Sequence, residues 1–182
     1  FGAERLLHRL AYRVFADHLT DMLQLEVPID IPAEEPALPG ADAVLIPCPE
    51  ARANTTILKD ALRPLFEGDP TYRLPTSVRL GSLKGGQVDV KISLNRMTLR
   101  QLMDSWFSAA IQEFNLRLAS ALTRLARGSD PHEGLRVFLG GRMSMHLGLQ
   151  DMLTKSLPAN VRIHKFREPD RTNLSTATVK TA

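Results

Sequence analysis

The sequence predicts an α/β fold, α+β in one part, and three stretches carry that prediction. Residues 135–139, Leu-Arg-Val-Phe-Leu, form a nearly unbroken apolar run. Gly140-Gly141 follows, and then a helix-period pattern at Met145, Leu149, Met152, Leu153 and Leu157. Such a run suits a strand buried on both faces, the usual state in a parallel sheet. Residues 88–94, Val-Asp-Val-Lys-Ile-Ser-Leu, alternate apolar and polar, and Lys84-Gly85-Gly86 before them is a hairpin signal. Between these stretches, Asn95 precedes a long apolar stripe at Leu99, Leu102, Met103, Trp106, Ala110, Phe114, Leu118, Ala121 and Leu125. The expected architecture is an antiparallel hairpin sheet with helices plus a partial parallel sheet, the long helix 96–126 running from one to the other.

Taken in order, residues 1–24 place Leu6, Leu7, Leu10, Val14, Phe15, Leu19, Met22 and Leu23 at helical spacing, with Arg5, Arg9, Arg13 and Asp17 on the opposite side. His8 and His18 fall on the flank. Residues 27–50 hold six of the twelve prolines, Pro28, Pro32, Pro36, Pro39, Pro47 and Pro49, which rules out a long helix and leaves short extended pieces at 27–31 and 43–46. Cys48, between two prolines, reads as a spectator thiol. Helical spacing returns over 51–67, with Asn54 or Thr55 as N-cap and Pro64 bending or ending the helix. Strands are expected at 72–74, 77–83 and 87–94. Asn95 caps the long helix, on which Trp106, Phe107 and Phe114 read as core. Residues 129–134 form a loop, 161–166 one more strand after Pro158, and 172 onward a loop entering another helix.

Composition excludes several classes of function. The 182 residues allow one domain, or two small ones sharing an interface, and a hydrophobic fraction of 43% is enough for a core. Net charge is +3 without a run of basic residues, so no nucleic-acid interface is expected. The single cysteine excludes an intramolecular disulfide and fits a reducing, cytoplasmic setting. No apolar run approaches the length of a membrane span, so no membrane partner is expected. The histidines have no zinc-like spacing with Cys48, and no serine-nucleophile elbow or Walker-type loop occurs. Glu34, Glu35, Asp60 and Asp69 read as solvated acids. No catalytic residue and no metal ligand is therefore assigned. The chain begins at Phe1 and closes at Ala182 inside helical patterns, which points to a segment of a longer protein.

The strand, Gly140-Gly141 and the helix after them have one use beyond economy. Without Cβ atoms a ligand can approach the backbone, and the helix start offers unpaired N–H groups. Three blocks in order, residues 1–23, 88–125 and 135–157, make the chain resemble the second lobe of the ATPase domain of the 70-kDa heat-shock (DnaK-like) chaperones, within the actin-like ATPase superfamily. The resemblance covers about two thirds of the chain, and the proline-rich stretch has no counterpart in it. It implies a lobe fragment, with 1–24 and 95–182 as a lower subdomain and 25–94 as an upper one. It also implies a role as the nucleotide-binding segment of a chaperone, closing over the adenosine of ATP or ADP, with Mg2+ held by the parent protein.

The family motif is Gly-Gly-x-x-Arg-x-Pro, whose arginine stacks on adenine. Gly140 and Gly141 match it, whereas Ser144 stands at the arginine position and His146 at the proline position. Arg142 offers a guanidinium from another direction. Lys59 and Arg63 correspond to the family's adenosine contacts on the upper-subdomain helix. Both phosphate loops, the catalytic lysine and the magnesium-binding aspartates belong to segments this chain does not contain. The fragment alone is therefore expected to be inactive, with no nucleotide bound. Its implied partners are the other lobe, the parent's remaining domains, and co-chaperones or nucleotide-exchange factors. Two alternatives accompany this reading, a scaffold or interaction module of the same fold without nucleotide affinity and an actin-like filament protein.

Overall fold

Helix α1 (Ala3–Asp17) buries Leu6, Leu7, Leu10, Ala11, Val14 and Phe15 against a second helix, α3 (Pro49–Phe66), whose Leu58, Leu62, Leu65 and Phe66 complete the contact. The computed structural model describes residues 2–125, 135–140, 144, 147–158 and 161–165. Between those helices come a short α2 (Leu19–Gln24) and the proline-rich crossing. A hairpin follows, β1 (Ser77–Gly81) with β2 (Gln87–Lys91), then α4 (Arg96–Leu125), β3 (Arg136–Leu139), α5 (Leu147–Ser156) and β4 (Arg162–Lys165). The described chain is thus mixed helix and strand, with one antiparallel and one parallel two-stranded sheet. No helix among the described residues is long and apolar enough to cross a membrane.

Helix α1 ends earlier than the apolar spacing predicts, at His18. The ring there supplies the bonds that a continuing helix would have supplied. Its Nδ1 donates to the Val14 carbonyl at 2.8 Å, and its Nε2 accepts from the Ser93 N–H at 2.8 Å. The proton therefore sits on Nδ1.

Helix α3 starts at Pro49, whose fixed φ suits a first helical position. The Cys48 sulfur caps it, accepting from Ala51 N–H at 3.3 Å. Asn54 and Thr55, expected as caps, point inward from the second turn and are 1% and 5% exposed. Pro64 does not stop the helix, which runs two residues further and ends where Gly68 turns left-handed at φ +83°.

No strand forms at 72–74. Tyr72 instead donates its hydroxyl to the Ala61 carbonyl, and the Tyr72 carbonyl accepts from the Arg96 guanidinium, so neither joins a ladder. The hairpin is shorter than its alternation predicts but keeps the register, pairing Val78 with Val90 and Leu80 with Val88. Gly85 and Gly86 take positive φ in its turn, as the two glycines require.

Asn95 caps α4 as read, its Oδ1 accepting from Met97 and Thr98 N–H at 2.9 and 3.2 Å. Leu99, Met103 and Phe107 enter the core shared by α1, α3 and the hairpin. Trp106 is only half-buried and Phe114 is 37% exposed, because the stripe's centre faces the core and its edges do not. The second half of α4 carries α5, with Leu122 and Leu153 buried.

The core joins α1 to residues of 25–94, so the boundary drawn from the sequence after residue 24 runs through this packing. Strand β3 departs from its reading too. Val137 and Leu139 are half-buried while Arg136 and Phe138 are exposed, Phe138 at 55%, so one face is covered and the other is not.

Candidate functional site

Strand β3, helix α5 and strand β4 form a parallel β–α–β unit, in which Val137 pairs with Ile163 and Leu139 with Lys165. Gly140 is exposed at the carboxyl end of β3, the end of a parallel sheet from which ligands are approached. Ser144 is half-buried between that strand end and α5. Gly141 and Arg142 lie outside the described residues, as do residues 129–134, His146 and everything from 166 onward.

Lys59 and Arg63 stand one turn apart on α3, and both bind the first turn of α1. Lys59 Nζ lies 2.8 Å from Glu4 Oε2, and the Arg63 guanidinium lies 2.7 Å from Glu4 Oε1 and 3.2 Å from Asp60. The hydrogen bonds from Arg63 and then Lys59 hold the Glu4 carboxyl down at about 2, and the same carboxylate raises the Arg63 guanidinium. The two cations thus come together on Glu4. Their role here is to tie α1 to α3.

A second site was not legible in the sequence. A half-open cavity of about 250 Å³ is lined by Arg9, Tyr12, Arg13, Ala16, Glu35, Pro36, Leu38, Leu102 and Trp106. Two of the acids read as solvated help build its surroundings. Glu35 accepts from Arg9 Nε at 2.6 Å, and Glu34 pairs with Arg5, so the proline-rich crossing folds over the charged side of α1. The Arg9 guanidinium lies over the Trp106 indole, 4.3 Å from the ring centroid. Tyr12 donates to the Pro36 carbonyl at 2.8 Å, and burial raises its phenol above the usual range. The available signal was Arg9, Tyr12, Arg13 and Ala16 at helical spacing, but a charged stripe at i, i+4 reads by default as a solvated face.

Among the described residues, no three His, Cys, Asp or Glu side chains converge as a metal site would require. No protein-family description, curated protein or solved structure matches this chain.

Proposed function

We propose that this chain serves as a nucleotide-contacting lobe segment of a DnaK-like, actin-fold ATPase, meeting the adenosine of ATP or ADP at the end of β3. The observation that supports this reading is the parallel β3–α5–β4 unit with Gly140 exposed at the carboxyl end of its first strand. That arrangement leaves a strand end where backbone can approach a nucleoside. Gly140 fits such a contact, whereas Lys59 and Arg63, both held on Glu4, do not supply cations to it. Mg2+ and the phosphates would be held by the other lobe, with which the segment would close. Co-chaperones or exchange factors would act on that closed form.

Affinity follows from the parts available. A guanidinium stacked on a ring contributes about 0.5–2 kcal/mol, while a micromolar complex needs about 8 kcal/mol. Half a cleft therefore binds ATP·Mg weakly and does not turn it over, since phosphoryl transfer depends on groups around the β and γ phosphates. Titrating ATP·Mg and ADP·Mg into the chain by calorimetry and by amide NMR tests this. Weak binding abolished by Gly140→Val, with an unchanged unfolding midpoint, is the expected result. Micromolar affinity, turnover, or binding indifferent to Gly140→Val would overturn it.

A second reading, a scaffold of the same fold without nucleotide affinity, is favoured by the engagement of both α3 cations with Glu4 and by Ser144 at the position where the family has arginine. It predicts no shift of any amide at millimolar nucleotide.

A further inference from the structure

We propose that the groove between α1, residues 35–38 and the first half of α4 binds a small organic carboxylate with a planar, apolar body. This site is independent of the strand-end turn, and the proposal does not rest on the nucleotide reading. Its apolar walls are Leu38 and Leu102, Tyr12 closes its base at 3% exposure, and the surface on which a planar group can lie is the Arg9 guanidinium stacked over Trp106. Its charge comes from Arg9 and Arg13, four residues apart and so on one face of α1. Each guanidinium meets an acid of the chain at its Nε. Arg9 meets Glu35 at 2.6 Å and Arg13 meets Asp17 at 3.0 Å. A guanidinium engaged through Nε still presents the pair of terminal N–H donors on its far edge, and that planar pair matches a carboxylate in two parallel bonds.

The groove also limits what can enter. Its volume of about 250 Å³ lies below the range of drug-sized sites, so the ligand is small. Arg9 already covers the indole, so a flat ring entering the groove meets a layered cation and aromatic surface. Glu35 stands in the same wall and disfavours a second negative charge, which selects a monoanion over a phosphate dianion.

Trp106 is the single tryptophan of the chain, so its fluorescence reports occupancy directly. The probe is phenylacetate, titrated into the whole chain beside its neutral counterpart phenylacetamide. Phenylacetate should give a saturable change in the millimolar range, with the amide weaker by about tenfold, as expected for lost charge-assisted bonds. Arg13→Gln, at a side chain 59% exposed, should weaken phenylacetate by about fivefold without moving the unfolding midpoint. Asp17→Asn removes the competing acid and should tighten it. A non-saturating change, equal affinity for acid and amide, or indifference to Arg13→Gln would overturn the proposal.

Discussion

Replacing Asn54 with alanine should cost more stability than any other single polar change among the described residues. The Asn54 side chain joins three separate pieces of chain. Its Nδ2 donates to the carbonyls of Pro28 and Gly81, both at 2.9 Å, and its Oδ1 accepts from Gly81 N–H at 2.7 Å. It thereby anchors the proline-rich crossing and the end of β1 to α3. The bond to Pro28 is fully buried, so its loss leaves a carbonyl without water, at about 2 kcal/mol. The two bonds to Gly81 are only partly buried, and water can replace them at about 1 kcal/mol each. Alanine returns about 0.5 kcal/mol through its better helix propensity. The net loss is about 3–4 kcal/mol, a large share of the total for a domain of this kind.

Urea unfolding followed by circular dichroism measures that loss. A value below about 1 kcal/mol with an unchanged m value would refute the account of Asn54 as the anchor. Asn54→Asp supplies a pH-dependent control. It keeps the acceptor for Gly81 N–H but turns a carboxylate oxygen towards two carbonyls, which raises that carboxyl above its unfolded value. Its stability deficit should therefore shrink as pH falls, because the protonated acid regains one donor.

Phe107→Ala, at a fully buried ring, should cost about 4 kcal/mol. Trp106→Ala, at a half-buried ring, should cost about 2 kcal/mol, and the reverse order in denaturant unfolding would misplace the core side of α4. The Glu4 carboxyl, held at about 2 against an ordinary 4.5, contributes stability that is complete above about pH 4.5 and lost as pH falls towards 2. Glu4→Gln should flatten that part of the acid unfolding profile. Cys48→Val removes the sulfur acceptor of α3 and should cost about 1 kcal/mol, whereas Cys48→Ser keeps a cap and should leave the thermal midpoint unchanged or raised.

Features that depend on neighbours in sequence were legible, and those that depend on distant partners were not. Asn95, the glycines of the hairpin turn and the helical state of α4 are local, and the structure follows them closely, whereas burial along the stripe of α4 follows it only at Leu99 and Met103. Trp106 and Phe107 are adjacent, so periodicity identified their face of the helix without telling its centre from its edge. The break at His18 depends on Ser93, 75 residues away. Lys59 and Arg63 enter as ligand contacts through the family resemblance, and their engagement with Glu4 across the α1–α3 seam is not visible locally because Glu4 lies 59 residues from Arg63. The glycine at the end of β3 was visible because a strand, a glycine and a helix are consecutive. The groove at Trp106 was hidden because it exists only once residues 34–38 lie over α1.

Helix α4 is a rod of 30 residues, about 45 Å long, with its two halves in different surroundings. Residues from Leu99 to Ile111 send four side chains into buried packing, while beyond them Leu116 is 69% exposed and α5 is the principal support. Continuous backbone hydrogen bonding does not make such a rod uniformly durable, since each turn opens at the free energy of what packs on it. Amide exchange should divide it near Ile111, with slow protons before that residue, faster ones around the exposed Leu116, and slower ones again where Leu122 is buried. Mechanically, the first half is clamped like the root of a beam. The second half rests on α5, so its rigidity is set by that one helix and not by the core that holds the root.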